Sequence, residues 1–100
     1  MPIQETVIKR VAVIGSGVMG AQIAAHFANT GVPTLLLDRV PKGADDRNVL
    51  AAGAIAKMLK GSPKAFVNNA AAKHVTPGNL EDDFDQLNEV DWIVEAIIED

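Results

Sequence analysis

Six residues near the start of the chain, Gly15-Ser16-Gly17-Val18-Met19-Gly20, have the spacing G-x-G-x-x-G. The chemistry open to that pattern is phosphate binding by the main chain. Gly15 permits a tight turn out of a strand, Gly17 lets a pyrophosphate approach the backbone, and Gly20 lets the following helix pack close to the strand. The amides at the helix start, around Val18 and Met19, then face the phosphates with the helix dipole behind them. Taken alone the six-residue pattern is weak, and its weight comes from context. It follows an apolar run, opens a helical pattern, and is followed 18 residues after Gly20 by Asp38. A carboxylate at that place accepts hydrogen bonds from the adenosine ribose hydroxyls and repels the extra phosphate of NADP. The constellation therefore predicts NAD as cofactor. Arg39 complicates the choice, because an adjacent guanidinium also suits a 2′-phosphate.

The elements that must position these residues are legible in the hydropathy pattern. Residues 10–14 (RVAVI) are a short β-branched run ending at glycine, as in a strand buried on both faces of a parallel sheet. Residues 18–30 carry Ile23, Ala24, Phe27 and Ala28 at helical spacing, and Gly31 closes the helix. Residues 34–37 (TLLL) predict a second strand ending at Asp38. Strand, helix and strand form a βαβ unit, which requires parallel strands and a right-handed crossover. Asp45 or Asp46 is expected to cap another helix running to Lys60, with Leu50, Ala54 and Met58 on its apolar register. Lys57 and Lys60 fall near its negative end, and Gly61-Ser62-Pro63 stops it.

From Lys64 to Gly78 the pattern is weak and predicts mainly loop, with a short third strand around residues 74–76. Asn79 is expected to cap a brief acidic helix through Leu80, Phe84 and Leu87, whose Glu81-Asp82-Asp83 run is a solvated face. Residues 92–98 (WIVEAII) predict another interior strand. The fold class expected is α/β, a Rossmann-type doubly wound parallel sheet with strand order 3-2-1-4 and later strands to follow. Residues 1–100 would then be the N-terminal part of an NAD-binding domain. The last strand's far edge is expected to be uncovered, and an uncovered apolar edge recruits partners, so self-association through it is expected.

Composition removes several function classes. The chain has 100 residues, 48% hydrophobic and 22% charged, which suits a globular domain rather than a disordered one. Its net charge of −4 argues against a nucleic-acid or anionic-membrane partner. No stretch approaches the roughly 20 apolar residues of a membrane span, and the N-terminus lacks a signal-peptide pattern. With no cysteine there is no disulfide, thiolate nucleophile or cysteine zinc site, and a cytoplasmic location is expected. No metal site is expected: His74 has no partner at ligand spacing, and His26 reads as a solvent-facing helix residue. Met19 and Met58 read as packing residues. Glu95 interrupts an apolar strand, and either a cleft or a neighbouring polar group accounts for it.

VAVIGSGVMGAQIA, the aspartate that ends the second strand, and DWIVEAIIED together resemble the NAD-binding start of 3-hydroxyacyl-CoA dehydrogenases. The segment TPGNLEDDFDQLNEVDWIVEAIIED is similar to a bacterial fatty-acid-oxidation subgroup, in which the dehydrogenase is usually joined to a hydratase-like region. The likeness covers residues 9–100; its glycine motif is shared with other β-hydroxyacid dehydrogenases, whereas GNLEDD and DWIVEA are more specific. The resemblance implies that Gly15 to Gly20 hold the pyrophosphate and Asp38 the ribose. It further implies that Ala96 lies against the cofactor and Glu99 near the nicotinamide-side ribose. Lys57, Lys60 and Lys64 match a helical projection that helps hold coenzyme A; they read equally well as solvated lysines.

The family's catalytic histidine and its partner glutamate come later than DWIVEAIIED, so the resemblance implies no catalytic residue here and no turnover by residues 1–100 alone. The activity implied for the full-length parent is NAD-dependent oxidation of an L-3-hydroxyacyl-CoA to the 3-ketoacyl-CoA. Two other readings fit the same residues: a non-catalytic NAD(H)-binding or dimerisation module, and a dehydrogenase of another hydroxy acid.

Overall fold

The computed structural model describes residues 8–61 and 65–97. Four parallel strands form one sheet: β1 (Val11–Ile14), β2 (Thr34–Asp38), β3 (Val75–Asn79) and β4 (Trp92–Glu95), in the order β3-β2-β1-β4. This is the expected Rossmann-like order. Helix α1 (Val18–Asn29) crosses from β1 to β2, and α2 (Val49–Lys60) lies between β2 and β3. Val11 pairs with both Thr34 and Trp92, and Ile14 with both Leu37 and Glu95. The carboxyl ends of β1, β2 and β4 therefore finish at one level.

The sheet is covered unequally. Val11, Val13 and Leu36 point to one face, where Ala24, Ala25 and Ala28 of α1, Ala51 of α2 and Phe66 seal them off. Alanines on the buried stripe of α1 bring its axis close to the strands, and Ile23 and Phe27 pack at the margin rather than at the centre. On the other face Ala12, Leu35 and Leu37 are covered by Leu80, Leu87 and Val90. Pro77 falls inside β3, where a missing amide is tolerated because β3 is an outer strand.

Local chemistry moves several boundaries. Helix α2 begins at Val49 and is not capped by Asp45 or Asp46; the Asp46 carboxylate instead accepts the Asn48 amide at 2.9 Å. That Asx turn occupies the chain for one more bend before the helix starts. The stretch read as loop contains a short 3₁₀ helix, Ala71–His74, and buries Phe66 against the core. The brief acidic helix is a 3₁₀ helix at Phe84–Glu89, with Leu87 inward and Phe84 exposed. Regular pairing of β4 ends at Glu95, and Ile98 lies outside the described residues. Among the described residues β4 has no partner on its outer side, and Trp92 and Ile93 are exposed.

Asn79, only 1% exposed, ties the β3 end to the α2 entrance. Its Nδ2 donates to Asn48 Oδ1 at 2.7 Å and Asp82 Oδ2 at 2.9 Å. Its Oδ1 accepts the amides of Glu81 at 3.0 Å and Asp82 at 2.7 Å. The residue thus caps the turn at 80–82 rather than the helix after it. Arg47 closes the same cluster from outside through a two-point contact with Asp82. Asn79→Ala strands several half-buried donors and acceptors, and is expected to cost about 2–3 kcal/mol of stability. A urea melt that shifts by less than about 0.5 kcal/mol would show that water replaces the network without loss.

Candidate cofactor site

The carboxyl ends of β1 and β2 form a ledge. The Gly15 amide donates to the Leu37 carbonyl at 2.7 Å, which carries the β1–β2 ladder one step past the strand. Gly15 has φ of 106°, in the left-handed region that favours glycine. A Cβ there would also come within 2.8 Å of the Ala96 carbonyl oxygen. The chain then turns through Ser16 and enters α1 at Gly17, whose φ of −66° and ψ of −174° are open to any residue. A Cβ on Gly20 would collide with the Gly15 carbonyl oxygen. A Cβ on Gly17 would meet nothing within 4 Å. The three glycines therefore answer different demands: a turn, a close packing and an open cradle.

That cradle suits a pyrophosphate. Among the described residues, the amides of Gly17, Val18 and Met19 carry no hydrogen bond, as expected at a helix start. They look out over the space beside Gly17, at the positive end of a 12-residue helix. The Val18 and Met19 side chains are 76% and 60% exposed, apolar surface at the same ledge. The unbonded amides and the open space beside Gly17 fit the pyrophosphate of a dinucleotide.

Asp38 closes the ledge from the β2 side. Its Oδ2 accepts the Ser16 amide at 2.8 Å and the Ser16 hydroxyl at 2.6 Å, and its Oδ1 accepts the Arg39 amide at 2.7 Å. Partial burial works to raise the Asp38 pKa. The Ser16 hydroxyl, the two amides and the Arg39 charge outweigh it and hold the carboxyl below its ordinary value. Asp38 is thus an anion at neutral pH, fixed against the glycine turn. The Arg39 side chain is exposed and forms no ion pair among the described residues.

Ala96 is buried, its amide bonded to the Ile14 carbonyl at 2.7 Å, and its backbone lies against Gly15. Glu99 and Lys64 lie outside the described residues. Lys57 and Lys60 are exposed on the last turn of α2. Glu95 is exposed at the end of β4. His26 is exposed on α1, and His74 precedes β3 at the amino end of the sheet, opposite the ledge. A cavity of about 240 Å³ also lies at that amino end, between Arg10, Pro33, Thr76 and Glu89, away from the glycine turn. Among the described residues, no group of three or more His, Cys, Asp or Glu is placed to hold a metal ion, and no helix is long and apolar enough to cross a membrane.

Two contacts escaped the sequence reading. The Ser16 hydroxyl bond to Asp38 joins residues 22 apart, and a serine in a glycine turn gives no signal of it. Asp91 accepts the Lys9 amide at 2.7 Å and the Arg10 amide at 3.1 Å, so the aspartate of DWIVEA fastens β4 to the start of β1.

Residues 10–100 match the family described as 3-hydroxyacyl-CoA dehydrogenase, NAD binding domain. A probable 3-hydroxyacyl-CoA dehydrogenase of Deinococcus radiodurans is 54% identical over 92 residues, covering 92% of this chain and 27% of that protein. A putative fatty acid oxidation complex trifunctional enzyme of Rickettsia felis is 39% identical over 92 residues, covering 92% of this chain and 13% of that protein. The chain thus spans about a quarter or less of the length of these relatives. The crystal structure of FadB2 from M. tuberculosis superposes with a TM-score of 0.65 at 24% identity, covering 95% of this chain and 33% of that one, which speaks to the fold. The chain belongs to the 3-hydroxyacyl-CoA dehydrogenase family, within its NAD-binding domain.

Proposed function

We propose that this chain is the cofactor-holding part of an enzyme that oxidises an L-3-hydroxyacyl-CoA to the 3-ketoacyl-CoA in fatty-acid β-oxidation. The observation that carries the site is the Asp38 carboxylate held beside the free amides of α1 by Ser16. The turn from Gly15 to Gly20 holds the pyrophosphate, with the Gly17, Val18 and Met19 amides as donors. Asp38 takes the adenosine ribose and disfavours a 2′-phosphate, with exposed Arg39 beside it at the cofactor. Ala96 walls the site behind the glycine turn, and Glu99 serves the nicotinamide-side ribose. Bound NAD supplies the hydride acceptor. What this chain contributes is position and charge; the acyl-CoA substrate belongs to the larger enzyme, with a cytoplasmic location in the same proposal.

Among the described residues, no histidine stands at the ledge. His26 and His74 are placed away from it, so residues 1–100 are proposed not to turn over substrate. The uncovered side of β4, with exposed Trp92 and Ile93, is proposed as the surface for self-association.

The test is calorimetric titration of the chain with NADH and NADPH, alongside an assay with 3-hydroxybutyryl-CoA and NAD. Trp92, the sole tryptophan, begins β4 opposite Val11, about 10 Å of strand from the ledge, so its fluorescence is a poor reporter. Saturable NADH binding stronger than NADPH binding, without turnover, is the expected result. Equal binding of both cofactors overturns the role given to Asp38, and turnover overturns the assignment of catalysis elsewhere. Sedimentation of the same sample as a monomer at high concentration overturns the β4 pairing.

A further inference from the structure

Asp38 has fewer acceptor positions to offer than a ribose diol requires. An ionised carboxylate accepts at about four lone-pair sites. Three are filled from within the chain: the Ser16 amide and hydroxyl on Oδ2, and the Arg39 amide on Oδ1. Both amides belong to the backbone and stay where the turn and the strand end put them. One acceptor site is therefore left, on Oδ1, against two adjacent ribose hydroxyls. The carboxylate accepts only, so the Ser16 hydroxyl must be the donor in its 2.6 Å bond, and both lone pairs of Oγ remain. No other donor reaches that oxygen among the described residues.

We infer that Ser16 is a ribose-binding residue: one adenosine ribose hydroxyl donates to Asp38 Oδ1 and its neighbour donates to Ser16 Oγ, which passes its own hydrogen bond on to Asp38 Oδ2. The ligand class is a dinucleotide with an unphosphorylated adenosine ribose. The inference rests on the placing of Asp38 at the ribose proposed above. Each group in the relay is satisfied without breaking a bond the chain already makes, so binding requires no rearrangement of the ledge. The hydrogen bond that the serine hydroxyl donates to an anion polarises its oxygen, which makes Oγ a better acceptor. A plain competitor reading makes the opposite prediction, because a serine that blocks Oδ2 should hinder the cofactor.

The experiment compares NADH with its two analogues lacking either the 2′- or the 3′-hydroxyl of the adenosine ribose, on the unsubstituted chain and on Ser16→Ala. On the unsubstituted chain the two analogues should lose unequally. Loss of the hydroxyl that meets the carboxylate weakens binding about 10-fold or more, and loss of the hydroxyl that meets serine about 3- to 10-fold. Ser16→Ala should weaken NADH by about 3- to 10-fold and leave the affinity for one analogue unchanged. Equal losses for the two analogues on the unsubstituted chain overturn the relay without recourse to any variant. So does a Ser16→Ala chain that melts normally and binds NADH as tightly as before, or more tightly. So does an equal Ser16→Ala loss with NADH and both analogues, since that pattern belongs to a residue acting only through Asp38. Asp38→Ala separates the two ideas. If Asp38→Ala binds NADH normally the site reading falls and takes the relay with it; if only Asp38→Ala is impaired, the relay alone falls. Absence of NADH binding by the unsubstituted chain overturns both.

Discussion

Gly20→Ala is expected to unfold the chain, while Gly17→Ala, three residues away in the same motif, is expected to leave the fold intact and abolish tight NADH binding. The two glycines look alike in sequence and differ in what surrounds them. A Cβ on Gly20 drives into the Gly15 carbonyl and lies 3.4 Å from the Ala96 side chain. The Gly15 carbonyl belongs to a turn fixed on both sides, by the Gly15 amide on Leu37 and the Ala96 amide on Ile14. Neither helix nor turn can retreat without breaking a ladder bond. Overpacking against fixed backbone costs about 3–5 kcal/mol, at or beyond the upper end of ordinary core substitutions. Against a total stability of about 5–15 kcal/mol, and towards the lower end for a chain this short, that is enough to populate the unfolded state.

Gly17 has an ordinary φ and open space around it, so alanine there changes stability by less than about 1 kcal/mol. The added methyl stands instead where a phosphate must reach the amides of α1, and NADH affinity should fall at least about 10-fold. Chemical denaturation and NADH titration of both variants settle the assignment. A Gly17→Ala chain that keeps its affinity would remove the pyrophosphate from the α1 ledge. A fully stable Gly20→Ala chain would mean that the turn at Gly15 is looser than its hydrogen bonds indicate.

The contrast shows where the sequence speaks and where it is silent. Buried strands are legible because burial on both faces demands an unbroken apolar run, as at Val11–Ile14 and Thr34–Asp38. The strand order follows from the doubly wound pattern to which a βαβ unit with a glycine turn belongs. The third strand is obscured because Pro77 and Gly78 fall within it; they are read locally as turn residues, and only the outer position of β3 permits the proline. Gly78 itself is held small by Leu37 and the Asp83 carboxylate, contacts made across the fold. The start of α2 is misread for a related reason. Asp46 has the right type for a cap, yet its carboxylate bonds two residues ahead and forms a turn instead. At the site, residue types and spacing mark Gly15, Gly17, Gly20 and Asp38 as candidates. They do not reveal that Ser16 and Asp38 form one unit, because a side-chain bond across 22 residues leaves no periodic trace.

Asp38→Ala is expected to weaken NADH by about 10- to 100-fold and to erase the preference over NADPH. One hydrogen bond from a hydroxyl to an ionised carboxylate is worth about 1.5–3 kcal/mol, and each 1.4 kcal/mol is a factor of ten. Removal of the anion also frees the Ser16 hydroxyl and leaves the Ser16 and Arg39 amides without an acceptor, so the ledge loses its fixed shape along with its charge. NADPH gains in relative terms, since the repulsion of its 2′-phosphate disappears and the Arg39 guanidinium, unpaired among the described residues, faces it alone. Acid supplies an independent check. The folded-state pKa of Asp38 lies below its ordinary value, so the anion's contribution to stability is complete above about pH 4 and is lost as pH falls from there through the folded pKa. The stability difference between the unsubstituted chain and Asp38→Ala should therefore be constant near neutrality and shrink below about pH 4. A difference that persists unchanged into strong acid would mean the bonds from Ser16 hold the protonated carboxyl as well as the anion. An unchanged NADH affinity in Asp38→Ala would place the ribose elsewhere and return the NAD-over-NADP preference to residues outside this ledge.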